Sequence, residues 1–217
     1  MDAAADRSTP TTDPAGTLRR LISGRNADPK EIAALLDGLD HGRRVSATRA
    51  LGPRDQLRLY DLVDGFMPVT LEQLVPPQLP PLTPVRHFGR NSLPAFQLFE
   101  KRFYRTPSGV VAGANFSPTS VVAGPGYFVV HADEARGEAL IDYREVPTDR
   151  PEGWPDIRVN DRGLPRFIFG FMVDTLRRVS AHVTIGAAAR KGKPMSARFV
   201  LVQEPGQRTQ EAPEGGA

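Results

Sequence analysis

Apolar residues recur every three to four positions through the first third of the chain and alternate with polar ones through most of the rest. The first pattern predicts helices and the second predicts strands. Ser180–Gln203 reads as a β-hairpin with a basic turn. If Arg190-Lys191-Gly192 form a three-residue loop with Gly192 left-handed, Ala187 faces Met195, Ile185 faces Ala197, Val183 faces Phe199 and Ala181 faces Leu201. That register makes one face wholly apolar.

Thr17–Val75 carries the helical pattern. Asp28-Pro29-Lys30-Glu31 combines an N-cap, a proline at the first helical position and an acid placed for a capping box. Ile32, Leu35, Leu36 and Leu39 follow. Asp40 caps a second helix, Pro53 opens a third with Leu57, Leu59, Leu62 and Val63, and Thr70 caps a short turn. Such short amphipathic helices need a partner surface, either each other or a sheet. Pro76–Pro84 is proline-rich and predicts an extended polyproline spacer.

Strands follow. Residues 95–105 and 110–116 flank a Pro107-Ser108-Gly109 turn. Residues 120–131 and 138–146 flank an Ala135-Arg136-Gly137 turn. Phe169, Met172, Val173, Leu176 and Val179 sit at helical spacing, while the β-branched and aromatic content of 167–179 also suits a strand; of the two, a helix is the expectation. The fold class is therefore α+β: short N-terminal helices, then a curved, mostly antiparallel sheet or partial β-barrel of about six strands. The expected division is a disordered tail at 1–15, helices at 16–75, a connector at 76–93, the β-rich part at 94–203 and a disordered tail at 204–217.

Composition narrows the chemistry. The 217 residues contain no cysteine, which removes disulfides, thiolate nucleophiles and Cys-based metal sites. The 28 basic and 25 acidic residues leave a net charge of +3, too balanced to argue for nucleic acid. No basic-then-apolar leader and no membrane-length apolar run occur, so a cytoplasmic protein is expected.

No phosphate loop, dinucleotide fingerprint, GxSxG elbow or metal-ligand spacing is present. His41, His87, His131 and His182 stand apart from one another in sequence, and neither a metal nor a cofactor is expected. Phe99, Lys101 and Phe103 share one strand face, so Lys101 must snorkel or pair if the phenylalanines enter the core. Glu100, Arg102 and Tyr104 share the other face. Gly124-Pro125-Gly126 predicts a bulge or corner before Tyr127.

The leading functional expectation is a non-catalytic module that binds a small, partly apolar ligand in a barrel-like cavity. Its polar lining would come from Glu100, Arg102, Tyr127, Tyr143, His182 and Arg198. A second reading is a hydrolase, lyase or thioesterase-like enzyme with His182 as general base and Arg198 or Tyr143 as anion stabiliser. A third is an interaction surface. Protein would dock on the N-terminal helices, or nucleic acid on the basic cluster of Arg177, Arg178, Arg190, Lys191, Lys193 and Arg198.

The segments GPGYFVV, RFIFGFMVDTLRRVS and HVTIGAAARKGKPMSARFVL, with Trp154-Pro155 between them, look similar to an uncharacterised bacterial protein family. The resemblance covers about Phe88 to Gln203. It implies no activity, cofactor or functional residue.

Overall fold

The computed structural model describes residues 13–94, 97–117, 126–159 and 170–205. Four helices come first: α1 (Pro14–Ser23), α2 (Pro29–Gly38), α3 (His41–Arg49) and α4 (Pro53–Leu62), followed by the single turn α5 (Leu71–Leu74). The start of each is sealed locally. Asp13 accepts from Ala15 and Gly16 N–H, Asp28 from Lys30, Asp40 from Arg43 and Thr70 from Gln73. In α4 the Asp55 carboxylate reaches back to the Gly52 N–H at 2.9 Å. Three of the helices open on proline. α1 begins at Pro14, inside the stretch expected to be a tail. The rest of that expected tail, and residues 206–217, lie outside the described residues.

Eight strands follow: β1 (Val85–Asn91), β2 (Leu98–Arg105), β3 (Val111–Phe116), β4 (Tyr127–Asp133), β5 (Glu138–Asp142), β6 (Met172–Arg178), β7 (Val183–Arg190) and β8 (Lys193–Gln203). Each pairs antiparallel with the next, and β1 pairs with β8, closing the barrel. The expected curved antiparallel sheet is thus present, with eight strands rather than about six and fully closed rather than partial.

The two added strands have physical reasons. β1 begins inside the stretch read as connector. The prolines before it make successive turns instead of an extended spacer, with Leu79 N–H bonded to Pro76 O and Thr83 N–H to Pro80 O. β6 replaces the expected helix. Its pairing with both neighbours outweighs the helical spacing of its apolar residues. Residues 167–169 of that segment, and 120–125 of the expected 120–131 strand, lie outside the described residues.

The last hairpin also differs from expectation. Its loop has two residues, with Lys191 at φ 51° and Gly192 at φ 73°, the paired left-handed conformations of a type I′ turn. An irregularity between Ala187 and Ala189 shifts the register further. Val183 therefore pairs with Val202 and Ile185 with Val200, while Gly186 pairs with Phe199 and Thr184 with Leu201. The two sets point to opposite sides of the wall. Both faces are apolar because both are covered, so the pattern alone did not pin the pairing.

Outside the barrel, Val183, Ile185, Val200 and Val202 pack against Leu18, Ile22, Ile32, Leu36, Leu51 and Leu59 of the helical layer. The helices therefore both bundle with each other and lie on β7 and β8, although Leu57 of α4, read as part of its apolar pattern, is exposed. Inside, Val85, Phe103, Val111, Phe128, Val130, Ile141, Leu176, Phe199 and Leu201 form a second core. The α5 segment stoppers one end of the barrel. Val69 N–H bonds to Gly137 O, Gln73 Nε2 to the Ser180 and Ala181 carbonyls, and Gln203 Nε2 to Gln73 O. The opposite end carries the longer interstrand connections.

Candidate functional site

Alternation along β2 sends Phe99, Lys101 and Phe103 into the lumen, so the lysine must find a partner there. β6 provides it. As a strand, β6 points Met172, Asp174 and Leu176 inward, whereas a helix would have scattered them. Lys101 Nζ lies 3.1 Å from Asp174 Oδ2, and both side chains are almost completely buried. The ammonium also donates to Asn115 Oδ1 at 2.9 Å and contacts the Tyr143 hydroxyl. Asn115 Nδ2 donates to the Tyr143 oxygen at 2.8 Å, and the Tyr143 O–H donates to Asp174 Oδ2 at 3.3 Å. Asp174 Oδ1 is buried with no hydrogen-bond partner among the described residues.

The walls around this tetrad are aromatic. Lys101 Nζ lies 4.9 Å from the ring centroid of Phe199, 5.3 Å from Phe128 and 5.7 Å from Phe99. Each ring lies over a glycine directly opposite on the neighbouring strand: Phe99 over Gly89, Phe128 over Gly113 and Phe199 over Gly186. A Cβ at Gly186 would stand 2.2 Å from Phe199 Cζ. The absent side chains let the rings fold down and close a dry box round the amine.

Burial in this box favours uncharged forms. It lowers the Lys101 pKa, with Asp174 opposing, and raises that of Asp174, with Lys101 opposing. It also pushes Tyr143 well above the usual phenol range, and the neighbouring Asp174 adds to that shift. A shared proton held between an amine, a carboxylate and a phenol is the chemistry this arrangement can support.

An open groove of about 410 Å³ runs over the outer wall beside Phe99, lined by Arg49, Leu98, Phe99, Glu100, Arg102, Phe116 and Ser117. Phe99 therefore touches both the groove and the aromatic box. Glu100 is bracketed by Arg86 at 2.7 Å and Arg102 at 2.8 Å. Burial pushes its carboxyl up, but the two guanidinium contacts outweigh that and hold it below the usual carboxylate range. Arg49 Nε is buried without a hydrogen-bond partner among the described residues.

The six residues singled out from sequence do not converge. Glu100 and Arg102 line the groove on the outer face of β2. Tyr127 is pinned by the loop after β5. Its hydroxyl donates to Pro155 O at 2.5 Å, its ring contacts Trp154, and burial pushes its pKa up to about 12. Tyr143 alone enters the lumenal tetrad. His182 sits in the β6–β7 turn near Arg44, Asp37 and His41, and burial followed by the Arg44 charge lowers its pKa. Arg198 lies on the outer wall against the Tyr60 ring at 4.9 Å, bonded to the Met195 and Ala197 carbonyls. His182, Arg198 and Tyr143 thus occupy three separate environments, and the cleft that a His182-based catalyst requires is not formed by them.

Lys101, Asp174 and Asn115 were missed as site residues. The usable signal was a lysine between two lumen-facing phenylalanines; its partner was hidden by the helical reading of 167–179. Elsewhere, His131, Asp142 and Glu145 bring one possible metal-ligand atom each within 4.8 Å of one another, but Arg144 already engages both Asp142 oxygens. Among the described residues, no helix is long and apolar enough to cross a membrane. At the basic hairpin tip, Lys191 lies 5.3 Å over the Phe171 ring. No protein-family model, no curated protein and no solved structure matches this chain.

Proposed function

We propose that the protein binds a small, partly apolar ligand with an anionic end in the groove beside Phe99. The observation that carries this reading is a groove whose lining joins the apolar Leu98, Phe99 and Phe116 to Arg49, a guanidinium whose Nε has no hydrogen-bond partner among the described residues. A guanidinium on the lining can donate to an anionic acceptor on a ligand, and apolar walls with a few placed polar groups are the usual lining of a small-molecule site. Glu100 is already neutralised by Arg86 and Arg102, so the excess charge in the groove is positive.

Trp154 supplies a built-in reporter. It is the one tryptophan of the chain, and its ring centroid lies 4.8 Å from that of Phe116. Titration with hexanoate is expected to change Trp154 emission saturably, and Arg49→Ala to weaken binding about tenfold, the cost of one charged hydrogen bond. An emission unmoved by millimolar hexanoate, with no shift in the backbone amide spectrum of β2, removes this reading.

A further inference from the structure

The chain has 28 basic residues, of which four are lysines, at 30, 101, 191 and 193. Three of them are exposed and Lys101 is buried. Where the fold needs only a buried positive charge it uses arginine, as at Arg44 and Arg177. An amine differs from a guanidinium in one chemical respect that matters here: it can release its proton and form a covalent bond.

Two further observations bear on Lys101. The Asp174 Oδ1 atom is buried beside it, an acceptor with no hydrogen-bond partner among the described residues. Phe99 touches both the groove and the box round the amine, and its ring lies over Gly89 and against the edge of Phe199, 5.9 Å between centroids. Phe99 is thus, among the described residues, the one side chain common to the groove lining and the aromatic box.

We propose that Lys101 is the amine nucleophile of a carbonyl-binding site, and that an aldehyde or ketone on an apolar body enters past Phe99 to form an imine with it. This rests on the reading that the groove admits small, partly apolar molecules. In the first step the ammonium gives a proton to the Asp174 carboxylate. The neutral nitrogen then attacks the carbonyl carbon, forming the C–N bond, and the carbonyl oxygen takes up one proton from that nitrogen. The Asp174 carboxyl returns its proton to the resulting hydroxyl, which leaves as water while the nitrogen lone pair forms the C=N bond. The product is a protonated imine beside an ionised Asp174, so charge and protons balance with no further reactant. The Tyr143 hydroxyl, in contact with the same Nζ, donates to the oxygen as charge develops on it. Burial lowers the amine's pKa, and each unit of lowering raises its reactive neutral fraction about tenfold.

The test is reductive trapping of the folded, full-length protein with hexanal and cyanoborohydride at neutral pH, with peptide mass mapping over time. Lys101 is expected to be alkylated at least about tenfold faster than Lys30, Lys191 or Lys193. Phe99→Ala is expected to accelerate labelling at Lys101 alone, and Lys101→Arg to abolish that adduct. Labelling of the three exposed lysines with Lys101 untouched, in both the native protein and Phe99→Ala, overturns the proposal without need of any Lys101 variant. Hexanoate separates the two ideas. If it binds but hexanal leaves Lys101 unlabelled, the imine chemistry falls and the groove reading stands. If it does not bind and Lys101 is labelled, the reverse holds.

Discussion

Lys101 and Asp174 meet at 3.1 Å in the barrel lumen although 73 residues separate them in the chain. Neither strand can bury its ion alone. The contact therefore forms only when β2 and β6 have both taken their places in the closed wall, and it selects that closure over other pairings. A buried ion pair is weak evidence of net stabilisation, because removing two charges from water costs about as much as their attraction returns. Its consequence is specificity: any arrangement that leaves one ion in the lumen without the other is heavily disfavoured.

This asymmetry can be measured. Lys101→Met or Asp174→Asn alone is expected to cost about 3–5 kcal/mol, because each leaves a buried group uncompensated. The double variant Lys101→Met with Asp174→Asn is expected to be no worse than the weaker single. Urea unfolding of the four proteins gives the coupling energy directly. Additive losses would show that the two side chains do not interact.

The glycine opposite Phe199 makes a second, independent prediction. A methyl group at Gly186 meets the ring at 2.2 Å, so either the ring or the strand must move. Gly186→Ala is expected to cost about 1–3 kcal/mol through overpacking. The same substitution in the Phe199→Leu background is expected to cost distinctly less, because the smaller side chain does not reach the glycine. Equal losses in both backgrounds would mean that the ring does not lie where the structure puts it.

Elements with local causes were legible in the sequence. The Asp28 cap and Pro29 start of α2, the Asp40 cap of α3 and the Thr70 cap of α5 involve residues two or three apart and formed as read, whereas the capping box expected from Glu31 is not seen among the described residues. Features with distant causes were not. Met172–Arg178 has a helix-compatible pattern, and its reason for being a strand is spread over β5 and β7. The hairpin register was ambiguous because Val183 and Ile185 face the helical layer while Phe199 and Leu201 face the lumen, so neither side of the ribbon is polar. The site shows the same division. Lys101 between Phe99 and Phe103 announced that a partner was needed, but no local feature could say that the partner was Asp174.

His87 gives the fold a predictable response to acid. It is buried in the lumen, 4.7 Å from the Phe103 ring centroid, and its Nε2 lies 3.2 Å from Leu74 O, which places the proton of the neutral ring on that nitrogen. Burial lowers its pKa from 6.5 to about 4, with the Leu74 carbonyl opposing. Between those values the unfolded chain binds a proton that the folded chain does not. The His87 contribution is thus intact above pH 6.5 and is lost as the pH falls towards 4, amounting to about 3 kcal/mol in all. Chemical denaturation at pH 7, 5.5 and 4.5 is expected to show this decline, and His87→Gln, which keeps a donor for Leu74, to flatten it. An identical pH profile in the two proteins would assign the acid sensitivity to other groups.

The turn between β7 and β8 offers a test of register that needs no structure determination. In a two-residue type I′ loop both Lys191 and Gly192 are left-handed, as their φ values of 51° and 73° require. A non-glycine residue pays about 1 kcal/mol or more for that conformation, asparagine less and glycine nothing. Lys191→Gly is therefore expected to stabilise the protein by up to about 1 kcal/mol, and Gly192→Ala to destabilise it by about 1–2 kcal/mol. In a three-residue loop with only Gly192 left-handed, Lys191 would have an ordinary backbone. Glycine there would then lower stability by enlarging the freedom of the unfolded chain. The sign of the Lys191→Gly change in thermal or urea unfolding thus distinguishes the two turns, and with them the two ways of dividing Val183, Ile185, Phe199 and Leu201 between the helical layer and the lumen.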